Sequence, residues 1–252
     1  MFGSDVLDKL FKLFPLFNYY IAAITIFYIL ILFCRAKNYK TKITVLYALC
    51  ILNFIFYVID SYYAYTRSNR LLTILPLQLC YIAVFLIPLS LLLKKELIFD
   101  FVFYICAPGA LIALLFPNIE YTANPYSLMT ISFFIFHFCI TAIPFLFTVW
   151  GMYKPSPTIK KAFRLSIVIL ILTGLIHVIN LILGQIFHIN TNYFFTIIKY
   201  SATNNIAFKQ LSKIISYDFF YLLPGLIFMY IYMLTIYFLT KPKMTAKNKI
   251  SA

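Results

Sequence analysis

The stretch LSIVILILTGLIHVINLILGQIF, residues 165–187, decides the fold class of this chain. It contains no Asp, Glu, Lys or Arg, and it is longer than the roughly 20 apolar residues that a helix needs to cross a bilayer. Its polar groups, His177 and Asn180 among them, lie inside the run and not only at its ends. The stretch therefore predicts a membrane-spanning helix that carries polar groups at membrane depth.

The composition of the whole chain favours the same class of protein. Of the 252 residues, 63% are hydrophobic and 11% are charged, which is more apolar than a water-soluble core can accommodate. The net charge of +14 comes from short basic clusters between apolar runs, where such residues set orientation in a membrane, so nucleic-acid binding is not indicated. The five cysteines lie in or beside apolar runs, which argues against a disulfide framework. The chain is therefore predicted to be a polytopic membrane protein.

Seven segments are long and apolar enough to predict an all-α helical bundle with a single membrane domain over residues 1–252. They are residues 16–34, 43–59, 76–93, 98–116, 127–150, 165–187 and 219–240. The first segment has no strongly basic leader and no small-residue cleavage site, so it is read as a retained helix. The long connection, 188–218, is too short and too mixed to fold alone. Its YFFTIIKY stretch suits a segment that lies at the membrane surface or caps the bundle, and a plain loop is the alternative.

The distribution of basic residues predicts the orientation of the bundle. Fourteen of the 21 Lys and Arg residues follow the first, third, fifth and seventh segments, and seven lie on the other side. Because cytoplasmic loops carry the excess of Lys and Arg, we expect the N-terminus outside and the C-terminus in the cytoplasm. Abundant Ile, Phe, Tyr, Lys and Asn suit an AT-rich genome, so the expected location is a bacterial plasma membrane.

Polar residues at membrane depth are costly in hydrocarbon and mark candidate functional positions. Cys80 and His137 form the combination of most chemical interest, because an imidazole can activate a thiol nucleophile. Gln78 or Asn180 could position groups or donate to an oxyanion, and His177 shares a helical face with Asn180. The alternative is that Cys80 only packs and that each histidine only bonds a neighbouring helix.

The sequence leaves three alternatives to a Cys80 and His137 enzyme: a zinc site, a transport or binding protein, and a scaffold. Zinc could bind His137, His177 and Cys80, but their spacing matches no ligand motif, and no metal or other cofactor is expected. A transporter or a lipid-binding or solute-binding protein could use the two histidines to carry protons, although paired broken helices and intramembrane carboxylates are missing from the pattern. A scaffold in envelope assembly is the third alternative. Loss of activity on replacing Cys80 with Ser or Ala would separate an acyltransferase from a transporter or a scaffold.

Two proline motifs predict local breaks. In LPLQLC, residues 75–80, Pro76 is predicted to occupy the first turn of the third helix, where its missing N–H has no partner to lose. In APGA, residues 107–110, Pro108 and Gly109 predict a kink in the fourth helix. Packing explains such a kink more simply than a binding site does.

Several of these stretches resemble a known family, the YwaF-like integral membrane proteins, which are related to transmembrane protein 164. The similar motifs are LPLQLCYIAVFLIPL (75–89), APGALIALLFPNIEY (107–121), FFIFHFCITAIPFL (133–146), Asn180, Gly184 and TNY (191–193). The most specific are the LPLQLC stretch and the histidine of the fifth segment. The resemblance covers roughly residues 70–196 and implies about seven spans.

The resemblance also implies a chemistry. Animal members of the family are described as phospholipid acyltransferases that use a cysteine and a histidine, which correspond here to Cys80 as nucleophile and His137 as its partner. The implied reaction passes through a thioester, with a membrane phospholipid or lipid-linked substrate as partner. The chain departs from the family at Gln78, often histidine, and at Phe138, often glycine. The supporting or substrate-binding candidates are Gln78, His177, Asn180, Asn192 and Tyr193.

Overall fold

The computed structural model describes residues 2–118 and 124–240, with side chains from Phe17 onward except at residues 202–204. All regular secondary structure in this part of the chain is helical. The α-helices are α1 (Phe2–Arg35), α2 (Tyr39–Ser68), α3 (Leu79–Leu93), α4 (Glu96–Leu115), α5 (Leu128–Val149), α6 (Ile159–Gln185), α7 (Ile198–Asn204), α8 (Ile206–Ile214) and α9 (Gly225–Thr240). Short 3₁₀ turns cover Leu71–Ile74, Tyr193–Phe195 and Phe220–Leu222.

The helices confirm the predicted class, a polytopic helical membrane protein. Within the described residues, six helices are long and apolar enough to cross a bilayer: α1, α2, α4, α5, α6 and the segment Phe220–Thr240 that includes α9. The apolar α3, at 15 residues, is shorter. The orientation stays a prediction. Residues 119–121 of the second motif, the basic residues after Thr240 and the side chains of Lys9 and Lys12 lie outside the description.

Polar residues between the apolar runs begin several of the helices. Asn38 accepts the Thr41 N–H at 2.9 Å at the start of α2, and Thr158 accepts the Lys161 N–H at 3.2 Å at the start of α6. Ser127 does the same for α5. These N-caps satisfy backbone donors that the first helical turn leaves open, so each apolar run starts where a capping side chain precedes it.

The start of α3 differs from the prediction. Pro76 lies before the helix, which begins at Leu79. The residue before a proline is pushed to extended backbone, and Leu75 has φ −56° and ψ 141°. Gln78 is also extended, with φ −79° and ψ 146°. The prediction that Pro76 opens the helix was therefore wrong, and Cys80 becomes the second helical residue.

The predicted break in α4 takes the form of a π-helical segment. Val102–Cys106 is π-helical, and the Ala107 N–H donates to the Val102 carbonyl five residues earlier. Pro108 follows directly and has no N–H to continue the ordinary α-helical ladder. The wider turn absorbs the proline without ending α4. Such π segments occur often at functional sites.

The centre of the bundle consists of α4 and α5. In their most apolar windows 61% and 67% of residues are buried inside the protein, against 6% to 22% for the other long helices. The outer helices consequently present large apolar side chains to the surroundings, as a bilayer requires. Tyr19 of α1 stacks on Phe134 of α5 with ring centroids 4.6 Å apart. The bundle is thus built around α4 and α5, the helices that contain Pro108 and His137.

The connection between α6 and α9 is ordered. It contains two 3₁₀ turns, Tyr193–Phe195 and Phe220–Leu222, and the short helices α7 and α8. Lys209 and Lys213 lie on one side of α8, and none of its residues is buried. This strongly amphipathic pattern suits a helix lying at the membrane surface. The YFFTIIKY stretch, residues 193–200, instead forms a 3₁₀ turn and the start of α7. Its buried Tyr193 and Phe194 pack against the bundle, which fits the interpretation of a segment that caps the bundle.

Candidate functional site

Cys80 lies in the first turn of α3 and is partly exposed. The N-cap residue Gln78 makes no side-chain hydrogen bond to this turn, so the turn has no side-chain cap. The positive end of a helix favours a thiolate. The partial burial of the thiol opposes this effect most strongly, and the nearby Asp60 carboxylate opposes it as well. The thiol thus lies between a helix N-terminus and a carboxylate.

His137 is held in one tautomer by its own helix. Its Nδ1 lies 2.9 Å from the Phe133 carbonyl oxygen. Because a carbonyl only accepts, the proton is on Nδ1 and Nε2 carries a lone pair. The residue is only 9% exposed, and its ring packs on Phe133 and Phe136 at centroid distances of 4.3 and 5.0 Å. His137 is therefore a buried imidazole that donates from Nδ1, and in its neutral form the basic nitrogen is Nε2.

Two contacts bring the surroundings of Cys80 and His137 together. Tyr81 follows Cys80, and its ring lies 5.9 Å from that of Phe136, which precedes His137. The second contact involves Thr141, one turn after His137. Its hydroxyl donates to the His137 carbonyl at 2.9 Å and lies 3.5 Å from the carbonyl of Ala107 in α4, the residue after Cys106.

Cys106, the residue before Ala107, is within electrostatic range of Cys80. Among the described residues no hydrogen bond joins Cys80 to His137. Residues next to Cys80 and residues next to His137 are therefore in contact, but the two side chains are not hydrogen-bonded to each other.

Gln78 and Asn192 are both used in holding the connection that follows α6. Gln78 donates to the Asn192 carbonyl at 3.2 Å and accepts the Phe194 N–H at 2.8 Å. The Asn192 side chain in turn accepts the Ile197 N–H at 2.9 Å and donates to Ser201 at 2.7 Å. Gln78 therefore fastens the 192–201 segment to the start of α3, and the Asn192 side chain stabilises the segment internally.

Asn180 and Tyr193 belong to the same fastening. The buried Asn180 amide donates to the Tyr193 carbonyl at 2.8 Å and to Thr196 at 2.9 Å. Its oxygen accepts from Thr191 and from the Tyr193 N–H, both at 3.0 Å. Burial raises the pKa of Tyr193 to about 12, so its hydroxyl stays protonated and donates to the Leu72 carbonyl. The side chains of all four candidates make hydrogen bonds within the protein: Gln78, Asn180, Asn192 and Tyr193. A direct contact between any of them and a substrate stays a prediction.

Strained backbone occurs within the fastened segment, residues 192–201, and at Phe219, which bonds to that segment. Phe194 and Phe195 both have φ 55°, and Phe219 has φ 63°. A positive φ is rare for an aromatic residue and persists only when its surroundings hold it. The Phe195 carbonyl accepts from Tyr221, and the Phe219 N–H donates to Thr196 at 2.7 Å.

His177 lies apart from the Cys80 and His137 surroundings. Its ring is 5.8 Å from that of Phe219, and its buried Nδ1 makes no hydrogen bond to any described residue. No described contact joins it to Cys80 or His137. Within the described residues no group of three or more His, Cys, Asp or Glu side chains could hold a metal ion.

An apolar cavity of about 360 Å³ lies between α4, α6 and the Phe219–Tyr232 segment. Gly109 lines it, and a Cβ placed on Gly109 would lie 3.2 Å from Cδ2 of Leu79, the residue before Cys80. Between the cavity and Leu79, at the start of α3, the wall therefore consists of the Gly109 backbone alone. The sequence did not point to this cavity, since its lining comes from three distant segments.

The sequence reasoning also missed a buried ion cluster at the other end of the bundle. Asp100 has a fully buried side chain and accepts from Tyr153 at 2.5 Å and from Arg164 at 3.1 Å. Lys161 lies 3.4 Å from Asp100 and 2.5 Å from Glu96. Burial, followed by the bond to Asp100, raises the pKa of Tyr153 above its usual range. An acidic residue inside an apolar run was the signal available in the sequence.

One comparison with known proteins gives a match. The model of the TMEM164 family matches residues 10–245, which is nearly the whole chain. No curated protein and no solved structure matches.

Proposed function

This chain belongs to the TMEM164 family, and from that premise we propose that it is a membrane-embedded lipid acyltransferase. Cys80 is the proposed nucleophile and His137 the proposed base. The acyl donor is a phospholipid of the surrounding bilayer, and a second lipid or lipid-linked hydroxyl is the acceptor. The proposed location is a bacterial plasma membrane.

The proposed reaction has two balanced halves. In the first, Cys80 Sγ attacks the ester carbonyl, the new S–C bond forms, and the ester C–O bond breaks. His137 Nε2 takes the thiol proton and returns it to the departing alcohol oxygen. In the second half the acceptor hydroxyl gives its proton to Nε2 and attacks the thioester, and the proton then returns to the sulfur. No redox partner or metal is needed.

The observation that carries this proposal is the position of Cys80 in a helical first turn that has no side-chain cap. The backbone N–H groups of Leu79 and Cys80 have no acceptor among the described residues, so they can donate to the oxygen that becomes negative when sulfur attacks a carbonyl. The tautomer of His137 supplies the matching base. Catalytic hydrogen bonds are often longer without substrate than with it, so the open Cys80 and His137 pair is compatible with this role.

A second candidate function is lipid binding without covalent chemistry. The cavity between α4, α6 and the Phe219–Tyr232 segment favours it, because a binding protein needs only such a space. The two candidates differ in their dependence on the Cys80 thiol.

The test is intact-mass spectrometry of the purified protein after incubation with phospholipid at neutral pH. We expect an added fatty-acyl mass that hydroxylamine removes and that is missing in Cys80→Ala. Cys106→Ala is the matched control, because Cys106 is buried and within electrostatic range of Cys80. An adduct that persists in Cys80→Ala, or lipid transfer that Cys80→Ala leaves unchanged, would contradict the proposal.

A further inference from the structure

The apolar cavity between α4, α6 and the Phe219–Tyr232 segment has an elongated lining along α4. We infer that it holds one acyl chain of a bilayer phospholipid. The inference deepens the proposed function, and its catalytic meaning rests on that proposal, but the binding itself does not require the Cys80 thiol. Its occupant follows from the length, opening and position of the cavity.

The length of the cavity matches one leaflet. Its α4 lining runs from Tyr104 to Leu115, which at about 1.5 Å per residue is roughly 16 Å. The hydrocarbon core of a bilayer is about 30 Å thick, so the cavity is about as deep as one leaflet. Tyr104 and Tyr232, with ring centroids 6.2 Å apart, mark one end of the lining. The volume of about 360 Å³ is at the low end of ligand pockets, which suits one chain and not a whole diacyl lipid.

The cavity is continuous with the surface that faces lipid. Leu115, Phe228 and Ile231 line it and are 57%, 56% and 55% exposed. In a membrane-spanning helix such side chains contact acyl chains. A phospholipid can therefore place one chain in the cavity from the side while its second chain stays in the bilayer. Water is an unsuitable occupant because the lining offers it few polar partners.

The position of the cavity relates it to Cys80. The end formed by Leu115, Phe219 and Leu222 is on the side of the bundle where α3 begins, since Gln78 bonds to the segment after α6. Gly109 lies in the cavity wall, and a Cβ placed on it would be 3.2 Å from Leu79 Cδ2. Cys80 follows Leu79, so the thiol lies beside the middle of the α4 lining, closer to Gly109 than to the Leu115 end. The cavity and the thiol therefore adjoin the same stretch of α4.

The experiment uses Cys80→Ala protein in phosphatidylcholine nanodiscs that contain a trace of phosphatidylcholine with a diazirine near the end of one chain. After illumination and digestion, we expect the label on residues 104–115 and 225–232. Ile112→Trp, which fills the cavity wall, should lower this labelling about tenfold, the effect of displacing roughly two methylene groups. Ile55→Trp is the matched control, because Ile55 is 49% exposed on α2 and does not line the cavity.

Each outcome decides between the inference and its rivals. Labelling spread evenly over the exposed faces of α2 and α6, or unchanged in Ile112→Trp, would overturn the inference. Labelling by a diazirine fatty acid but not by the phospholipid would also overturn it. Cavity labelling without any thioester in the native protein would contradict only the proposed function. A Cys80 thioester without cavity labelling would contradict only the inference about the cavity.

Discussion

At the scale of single residues, the two candidate catalytic side chains differ in how firmly they are held. His137 is buried and bonded through Nδ1 to the Phe133 carbonyl, so its basic nitrogen has a fixed direction. Cys80 is partly exposed in a turn whose side-chain cap is missing. A fixed base and a more accessible nucleophile allow the thiol to adjust to a bound ester. The tautomer of His137 can be tested by substitution.

His137→Asn should remove the base and keep the structural bond. The asparagine amide can donate to the Phe133 carbonyl as Nδ1 does, but it has no nitrogen lone pair that accepts a proton. We expect acyl transfer to fall about 10²-fold to 10⁴-fold, the usual contribution of a general base. The measurement is the rate of transfer between lipids, with melting temperature as the check on folding.

His177→Asn is the control for this substitution. No described contact joins His177 to Cys80, so transfer should stay near the native rate. If His177→Asn lost activity and His137→Asn retained it, the base would have been assigned to the wrong histidine.

The sequence identifies the polar residues at membrane depth, but it does not predict their partners. Cys80, His137 and Asn180 stand out because polar groups are rare and costly within apolar runs. Their partners could not be predicted, since Asn180 bonds to the loop at residues 191–196 and no helical periodicity places a loop. The tautomer of His137 depends on a rotamer, which a sequence pattern does not contain.

At the scale of elements, the position of Cys80 depends on how α3 meets α4. Leu79 packs where Gly109 has no side chain, and the π-helical segment before Pro108 sets the rotation of this part of α4. Apolar length predicted both helices, but the start of α3 was placed too early, because Pro76 was read as a first-turn proline. Its actual effect is to keep the preceding residue extended.

Gly109→Val should displace the first turn of α3. Its Cβ alone would lie 3.2 Å from Leu79 Cδ2, and the added methyl groups would push Leu79 away. We expect thioester formation at Cys80 to slow by about tenfold, equivalent to a barrier increase of about 1.4 kcal/mol. The measurement is the time course of the acyl mass adduct.

Gly184→Val is the matched control for this change. A Cβ at Gly184 meets nothing within 4 Å, while the backbone cost of a β-branched residue in a helix is the same. Equal adduct rates in the two variants would show that the contact between Leu79 and Gly109 does not position the thiol.

Asn180→Ala tests the fastening of the connection after α6. The substitution leaves the buried Tyr193 N–H without its acceptor, which should lower the free energy of unfolding by about 3 kcal/mol. Amide hydrogen exchange of residues 191–196 should rise, because Asn180 bonds to three residues of this segment. Asn190→Ala is the control, since Asn190 is an exposed amide of the same connection. Unchanged exchange in Asn180→Ala would contradict the fastening role.

At the scale of the whole molecule, the two ends of the bundle use different interactions. The end that contains Gln78 and Asn180 is held by neutral amide hydrogen bonds. The opposite end is held by the buried ion cluster around Asp100, which joins α4 to α6. Sequence patterns predicted the bundle but not this cluster, because its members are more than 50 positions apart.

Two acidic residues that share Lys161 allow a test of burial. Asp100→Asn leaves two cations beside a side chain without charge, so we expect the free energy of unfolding to fall by about 3 kcal/mol. Glu96→Gln should lower the free energy of unfolding much less than Asp100→Asn, because the Glu96 side chain is 65% exposed and water screens its ion pair. The measurement is denaturation of both variants in the same detergent. Similar losses in the two would contradict the dependence on burial.

The two ends also predict opposite exposure to an impermeant reagent in intact cells. The basic residues near Ser156 predict a cytoplasmic end, and Asn190 belongs to the connection predicted outside. Asn190→Cys should therefore react with an impermeant maleimide in intact cells, while Ser156→Cys should react only after the membrane is opened. Both positions are exposed in the protein, so the bilayer and not burial decides the result.

The native protein is the control for this experiment, since four of its five cysteines are buried and Cys80 is only partly exposed. The reverse pattern of labelling would place Cys80 at the cytoplasmic leaflet, because Gln78 ties the start of α3 to the connection that contains Asn190. The proposed acyl donor would then come from that leaflet. The chemistry at Cys80 would be unchanged, but the lipids available to it would differ.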